Sequence, residues 1–198
     1  MKISPNIRRR ALGLVAACAL VLPGLALAQA AGEPVIVTLE TNQGNIVLEL
    51  DAVAAPKSTA NFVQYVKDGY YDGTIFHRVI AGFMIQGGGF ARDLSRKQTR
   101  APIAPESRNG LKNVRGAIAM ARTSDPNSAT AQFFIDVVDN AQLDYPSFDG
   151  TGYTVFGKVI EGMDAVDRIR AIPTASRGME FQNLPTEAAV ITHAKLGR

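Results

Sequence analysis

Few side chains in this 198-residue sequence have the types and spacing that catalysis by a nucleophile or a metal requires. Beyond residue 28 there are two histidines, His77 and His193, and no cysteine, which argues against a zinc or haem site built from the usual ligands. There is no G-x-S-x-G or H-E-x-x-H motif. The glycines at 87–89 match neither a Walker A loop nor a helix-opening G-x-G-x-x-G, so a bulge or a close backbone approach is favoured. No metal and no cofactor are expected.

A positive signal comes from four blocks that occur in a fixed order. They read FHRVIAGFMIQGG at 76–88, GAIAMAR at 116–122, AQFFI at 131–135 and VFGKV at 155–159. Together they resemble the cyclophilin family of peptidyl-prolyl cis-trans isomerases, and the resemblance extends from about Val35 to Lys195. The Met-Ala-Arg sequence in the second block and an export signal at the N-terminus resemble the bacterial periplasmic branch of that family.

The resemblance implies an enzyme that rotates X–Pro peptide bonds without covalent chemistry. Amide resonance opposes this rotation with a barrier of ~18–20 kcal/mol, and uncatalysed X–Pro exchange is slow. In the twisted state the prolyl nitrogen regains its lone pair, which a fixed cationic donor stabilises. By resemblance Arg78 is that catalytic donor. From the strand pattern alone, Arg78 is better interpreted as a structural ion pair, and His77 as a buried, hydrogen-bonded residue that points the opposite way.

The resemblance also implies a substrate groove, whose residues are Phe83, Met84, Gln86, Ala121, Arg122, Gln132, Phe134, Leu143 and Tyr153. The apolar members form a rigid socket for the proline ring, and the two glutamines lie near Arg78 and the substrate main chain. The main chain at Ala121 and Arg122 is expected to pair with the extended substrate, so the side chain of Arg122 matters less. Because side chains alternate along a strand, Phe133 belongs to the core if Phe134 belongs to the socket.

Two positions depart from the eukaryotic members known for cyclosporin binding. Gln142 stands where they carry tryptophan, and Tyr153 stands where they carry histidine. The segment 144–152 between these positions is also somewhat longer. These changes predict weakened cyclosporin binding and an altered substrate preference. They also leave open a second hypothesis, in which the protein is a binding module or holdase that captures proline-containing segments.

The elements that must position these residues are mainly strands. Short apolar runs broken by Gly, Asn and Asp predict strands at 34–40, 45–50, 74–80, 83–86, 117–121, 133–138, 154–160 and 189–194. Helical periodicity appears at 56–67 and 163–171. Without β–helix–β alternation, the pattern favours a mainly β domain, a closed eight-stranded antiparallel barrel of the cyclophilin type capped by two α-helices. The polar stretch 92–113 is interpreted as a loop packed outside the barrel.

The first 28 residues are interpreted as a secretory signal peptide. A basic segment with Lys2 and three arginines precedes an apolar run that ends in Ala26-Leu27-Ala28, which predicts cleavage after Ala28 and delivery to the periplasm. Residues 29–198 then form the isomerase domain. A lipobox-like sequence ending at Cys18 leaves a lipoprotein open as an alternative, and an uncleaved membrane anchor is disfavoured because Pro23 and Gly24 interrupt the run.

Cleavage changes the charge of the chain. Four of the 21 cations and none of the 18 anions lie in residues 1–28, which leaves 17 against 18 and a formal charge of −1. The basic pI therefore gives no reason to expect nucleic acid as a partner. The expected partners are proline-containing unfolded or extended polypeptides, without a membrane after cleavage, and the protein is expected to be a monomer.

Overall fold

A computed structural model describes residues 34–198 of the protein. The predicted signal peptide at 1–28, with Cys18 and the cleavage site after Ala28, lies outside the described residues. No helix within the described part of the chain is both long and apolar enough to cross a membrane.

The main sheet has eight strands, all paired antiparallel, in the order β10-β1-β2-β7-β5-β6-β4-β3. Their bounds are β1 Val35–Thr41, β2 Gly44–Leu50, β3 Thr74–Ile80, β4 Met84–Ala91, β5 Ala117–Met120, β6 Phe133–Asp136, β7 Val155–Glu161 and β10 Ile191–Leu196. The two edge strands meet through an antiparallel bridge between Ile75 and Val190, so the sheet forms a nearly closed barrel. The predicted fold class is confirmed.

Two helices pack on this barrel, as predicted. Helix α1 spans Pro56–Lys67 and buries Phe62, Tyr65 and Val66. No side chain of its own caps its N-terminus. The carboxylate of Glu106, from the long polar loop, instead accepts hydrogen bonds from the main-chain N–H groups of Lys57 and Ser58 at 3.0 and 2.8 Å. Helix α2 spans Met163–Arg170 and buries Ala165, Val166 and Ile169.

Strand β4 is longer than the predicted strand at 83–86, because the glycines at 87–89 stay in the sheet. Gly87 pairs with Phe76, and Ala91 pairs with Thr74. At Gly88, φ is +78°, and a Cβ atom would lie 2.8 Å from Cε1 of Tyr71. Glycine therefore lets the strand pass directly over the aromatic core, which is the close approach that the sequence suggested.

A short ribbon of β8 Thr174–Ala175 and β9 Leu184–Pro185 was not predicted. Its strands have two residues each, too few to show an alternating pattern. The segment that leads into β9 packs against the barrel beside the predicted catalytic residue, since the main-chain N–H of Val79 donates to the carbonyl of Asn183 at 2.9 Å.

Buried apolar side chains divide into two clusters. The interior cluster fills the barrel and includes Phe62, Tyr71, Phe76, Phe133 and Phe156. A second, smaller group, here called the socket cluster, has Met84, Ala117, Ala119, Ala121, Phe134, Leu143 and Val155 as its buried members. Phe133 and Phe134 fall in different clusters, as alternation along β6 predicts.

Candidate active site

A β-bulge in β3 orients Arg78. Phe76 pairs with Gly87 and Arg78 pairs with Gln86. Strand β3 therefore has one more residue than β4 between these two pairs. Phe76 and Val79 both belong to the interior cluster, although three positions along β3 separate them. Strict alternation would have placed these two residues on opposite faces. The bulge therefore interrupts the alternation, which was the ground for predicting that His77 and Arg78 point to opposite faces.

The guanidinium of Arg78 lies at the edge of the socket cluster. Its Nη1 donates to Oε1 of Gln86 at 3.4 Å, and its central carbon lies 6.0 Å from the centroid of the Phe83 ring. Within residues 34–198, no carboxylate oxygen lies within 4.0 Å of its nitrogens. The structural ion pair that the strand pattern favours is therefore absent from the described residues, and the half-buried cation faces apolar surface and one amide.

A row of side-chain amides continues from Arg78. Nε2 of Gln86 donates to Oε1 of Gln132 at 2.9 Å, so each glutamine is held by its neighbour. Gly89 makes room for this row, since a Cβ atom there would lie 2.5 Å from Nε2 of Gln132. Sequence reasoning treated Gly89 as part of a glycine run and missed this contact. The arrangement fixes hydrogen-bonding groups beside an apolar surface, which a substrate main chain requires.

The socket cluster contains the apolar residues that the sequence analysis assigned to the groove. Met84, Phe134 and Leu143 form its floor at 1, 3 and 5% exposure, and Phe83 and Tyr153 are partly buried at its rim. The rings of Phe134 and Tyr153 meet edge to face, with centroids 5.7 Å apart. The result is a rigid apolar surface with Arg78 at its edge.

Sequence analysis did not single out the two alanines of β5, but it did name Ala121, which directly follows the strand. Ala117, Ala119 and Ala121 all belong to the socket cluster, whereas Ile118 and Met120 between them face the barrel interior. The signal was present in the sequence as small residues alternating with large ones on a strand. Small side chains on the outer face let the larger members of the socket cluster pack directly over this strand.

The comparisons with known proteins agree with this geometry. Residues 36–196 match the sequence profile of the family described as cyclophilin type peptidyl-prolyl cis-trans isomerase/CLD. The chain belongs to this family. The recognition made from the four sequence blocks is confirmed, and so is the enzyme class, peptidyl-prolyl cis-trans isomerase.

Relatives of this cyclophilin-type chain include bacterial enzymes of similar length. It is 54% identical to peptidyl-prolyl cis-trans isomerase A of Dickeya dadantii over 160 residues, 81% of this chain and 83% of that protein. It is 51% identical to peptidyl-prolyl cis-trans isomerase B of Escherichia coli over 158 residues, 79% of this chain and 96% of that protein. A solved cyclophilin-type isomerase of Cryptosporidium parvum is similar at a TM-score of 0.69 and 28% identity, covering 83% of this chain and 98% of that one.

The two positions that depart from cyclosporin-binding cyclophilins lie at the two ends of one loop. The main-chain N–H of Tyr153 donates to the carbonyl of Leu143 at 2.9 Å, which closes the segment 144–152 into a loop at the rim. Gln142 is exposed, and its Nε2 donates to Oδ1 of Asn140 at 3.1 Å. The side-chain amide at position 142 is therefore hydrogen-bonded to Asn140, a polar residue beside the socket.

The side chain of Arg122 makes contacts that the sequence analysis did not predict. Its side chain is only 4% exposed and is directed into the rim loop, where its Nη2 donates to the carbonyl of Gly152 at 2.9 Å. The expectation that this side chain matters less than the main chain overlooks that contact. The amino-acid sequence around Arg122 gives no indication that its side chain contacts Gly152, which is 30 residues away.

His77 is buried, as predicted, at 4% exposure and packed against Phe90 with ring centroids 4.7 Å apart. Its Nδ1 has no hydrogen-bond partner within residues 34–198, so the expected hydrogen bond is not found at this ring nitrogen. Burial, followed by the charge of the neighbouring Arg78, lowers the pKa of His77 to about 4. Because the imidazole of His77 is neutral at neutral pH, Arg78 is the cation of this bulge.

Asp136 is a buried carboxyl at the end of β6, and sequence reasoning did not single it out. Its Oδ1 accepts a hydrogen bond from Nδ2 of Asn140 at 2.6 Å, and Oδ2 has no partner within the described residues. The same Nδ2 donates to the carbonyl of Phe83 at 2.9 Å, which links the carboxyl to the socket wall. Burial raises the pKa of Asp136 to about 7, and the nearby Asp144 and Asp139 add to this effect.

Within residues 34–198, no group of three or more His, Cys, Asp or Glu side chains is placed to hold a metal ion.

Proposed function

We propose that this protein accelerates rotation of X–Pro peptide bonds in exported polypeptides, with Arg78 stabilising the twisted amide, and so assists their folding. The observation that carries the proposal is the position of Arg78, a half-buried cation at the edge of an apolar socket with no acidic partner among the described residues. A cation in a surface ion pair would already be neutralised by its partner. This one remains available to a ligand.

The chemistry required is stabilisation of a twisted amide without any bond being made or broken. When the C–N bond rotates, conjugation is lost and the prolyl nitrogen becomes a hydrogen-bond acceptor. A donor fixed near that nitrogen binds the twisted state more tightly than the planar one, which lowers the barrier. A guanidinium suits this task because it keeps its charge at every relevant pH and presents its donors in a rigid plane.

The socket holds the proline ring while the bond turns. Met84, Phe134 and Leu143 provide the floor, with Phe83 on the side of Arg78. The main-chain N–H and C=O of Arg122 make no hydrogen bond within residues 34–198, which leaves them free to pair with an extended substrate. Gln86 and Gln132 offer side-chain amides in a row that begins at Arg78.

The direct test is exchange spectroscopy on a short Ala-Pro peptide. Substoichiometric amounts of residues 29–198 are expected to raise the cis–trans exchange rate in proportion to protein concentration, because each molecule turns over many peptides. The same rate measured with the peptide alone is the control. Binding of the peptide without faster exchange would contradict the proposal and favour a holdase that only captures proline-containing segments.

We also propose that the protein acts in the periplasm, after cleavage following Ala28, as a monomer. The basic segment, apolar run and Ala26-Leu27-Ala28 support export. The meeting of β3 and β10 supports a monomer, since it removes the long sheet edges through which strands of separate molecules pair.

Export predicts a specific mature N-terminus. Mass spectrometry of the protein from the periplasmic fraction of a Gram-negative host is expected to give Gln29 as the first residue. Ala28→Arg, which removes the small residue at the cleavage site, is expected to leave the full-length chain uncleaved. Cys18→Ser, the matched control, is expected to be cleaved like the wild type. A lipid-modified Cys18 at the mature N-terminus would overturn this prediction.

A further inference from the structure

The side chain of Arg122 connects three parts of the groove rim. Nε and Nη2 donate to the carbonyl of Gly152 at 3.2 and 2.9 Å, and Nη1 donates to the carbonyl of Thr123 at 3.0 Å. Nη2 also forms an ion pair with Oδ2 of Asp149. With 4% of its side chain exposed and these three acceptors engaged, the guanidinium has little capacity left for a ligand.

The same guanidinium stacks on an aromatic wall of the socket. Its central carbon lies 4.4 Å from the centroid of the Tyr153 ring, a close cation–π contact. That ring meets Phe134 edge to face, at an interplanar angle of 77°. Tyr153 thus lies between the cation on one side and the socket floor on the other.

Asp149 completes the connection from the loop side. Its Oδ1 accepts hydrogen bonds from the main-chain N–H groups of Thr151 and Gly152 at 2.9 and 3.1 Å, while Oδ2 accepts from Arg122. The hydrogen bond from Arg122, before the two main-chain donors, lowers the pKa of Asp149 to about 2. The carboxylate is therefore charged at any pH at which the protein is expected to work, and the connection persists.

We infer that the Arg122 side chain is a positioning residue, which fixes Tyr153 against Phe134 and so sets the wall of the proline socket next to the rim loop. The inference rests on the proposed function, since it concerns how the substrate is held. It differs from a direct role of the Arg122 charge in binding substrate, because the charge is already engaged within the protein. It also assigns to the side chain a role separate from that of the Arg122 main chain.

The test is a double-mutant cycle on substrate affinity. In the wild-type background, Arg122→Met is expected to raise KM for an Ala-Pro peptide about tenfold, through loss of the buried cation–π contact and its hydrogen bonds. kcat is expected to change less than KM because Arg78 is untouched. In a Tyr153→Ala background, the same Arg122→Met change is expected to leave KM unaltered, since the wall is already gone.

Matched variants separate positioning from general destabilisation. Arg168→Met is the control, because Arg168 also pairs with an aspartate and donates to a main-chain carbonyl, but does so at α2. It is expected to leave KM unchanged. Asp149→Asn, which keeps the Gly152 contacts of Arg122, is expected to raise KM in the same direction by a smaller factor, and thermal melting checks that each variant is folded.

Two outcomes would overturn the inference: an unchanged KM in folded Arg122→Met, or an equal rise of KM in both backgrounds. The equal rise would mean that Arg122 acts independently of Tyr153. The peptide's dissociation constant, measured by NMR shifts on the same proteins, reports on the socket without catalysis. Failure of the wild type to accelerate exchange would refute the proposed function. The dissociation constants would still show whether Arg122 positions the socket wall.

Discussion

Replacing Arg78 with alanine is expected to lower kcat/KM for an X–Pro peptide by about 10²- to 10³-fold, the usual cost of removing one preorganised donor from a developing charge. The loss should appear mainly in kcat, because the socket proposed to hold the proline ring keeps all its apolar members. Exchange spectroscopy or a coupled assay on a short peptide measures the effect. The kcat/KM of Arg78→Lys is expected to lie between those of the wild type and Arg78→Ala, since lysine keeps the charge but lacks the planar guanidinium.

The control for this prediction is an arginine that lies just beyond the end of β10. Arg198 forms an exposed ion pair with Glu161, so Arg198→Ala is expected to leave activity unchanged. Because Arg78 has no carboxylate partner among the described residues, its removal strands no buried charge, and the variant is expected to fold. Equal rates for Arg78→Ala and the wild type would refute the catalytic role. If aggregation of unfolded proteins were also suppressed equally, the holdase hypothesis would be favoured.

The second large effect is a pH-dependent stability that comes from Asp136. Its pKa is about 7 in the folded protein and 3.8 is the ordinary value, so the folded state holds a proton there that the unfolded state releases. Stability from this group is fully present below about pH 4 and is lost progressively as the pH rises to 7. Asp136→Asn, neutral at every pH, is expected to be more stable than the wild type at pH 8 by roughly 2–4 kcal/mol.

Urea unfolding at pH 4, 6 and 8 measures this difference. The advantage of Asp136→Asn is expected to shrink as the pH falls and to vanish near pH 4. Comparing variant with wild type at each pH cancels the contribution of His77, whose depressed pKa of about 4 costs stability as the pH falls from 6.5. The exposed Asp125 provides the control, since Asp125→Asn should show no such trend. A constant difference across the three pH values would contradict a buried, proton-holding carboxyl at position 136.

Much of the fold could be predicted from the sequence because it depends on local patterns. Eight apolar runs bounded by Gly, Asn and Asp gave eight strands, and two stretches with helical periodicity gave two helices. Where the structure differs from the predicted elements, the local sequence pattern was absent or misleading. The glycines at 87–89 end an apolar run, yet they continue β4, where a Cβ atom would come within 3.0 Å of an aromatic ring at Gly87 and Gly88 and of Gln132 at Gly89. The strands of the β8–β9 ribbon are too short to show any period.

The candidate site was predicted from the family resemblance more than from local sequence patterns. The features that the prediction missed depend on contacts between residues far apart in the sequence. Alternation failed at His77 and Arg78 because a bulge depends on pairing with β4, which the sequence of β3 alone does not encode. The contacts of the Arg122 side chain were not predicted because its partners at 149–153 come from a different part of the chain. Asp136 escaped notice because a carboxyl in a strand shows its burial only when the neighbouring strands are in place.

The hydrogen bond between Tyr153 and Leu143 separates the loop 144–152 from the barrel that carries Arg78. The main-chain N–H of Tyr153 lies 2.9 Å from the carbonyl oxygen of Leu143 and closes the loop, so exposed loop residues that do not contact Arg122 can be exchanged without moving the strands. Phe148, 81% exposed on this loop, can therefore be replaced at little cost to the fold. We expect exchanges at such positions to alter the affinity for particular X–Pro sequences while Arg78, and with it the proposed rotation chemistry, stays in place.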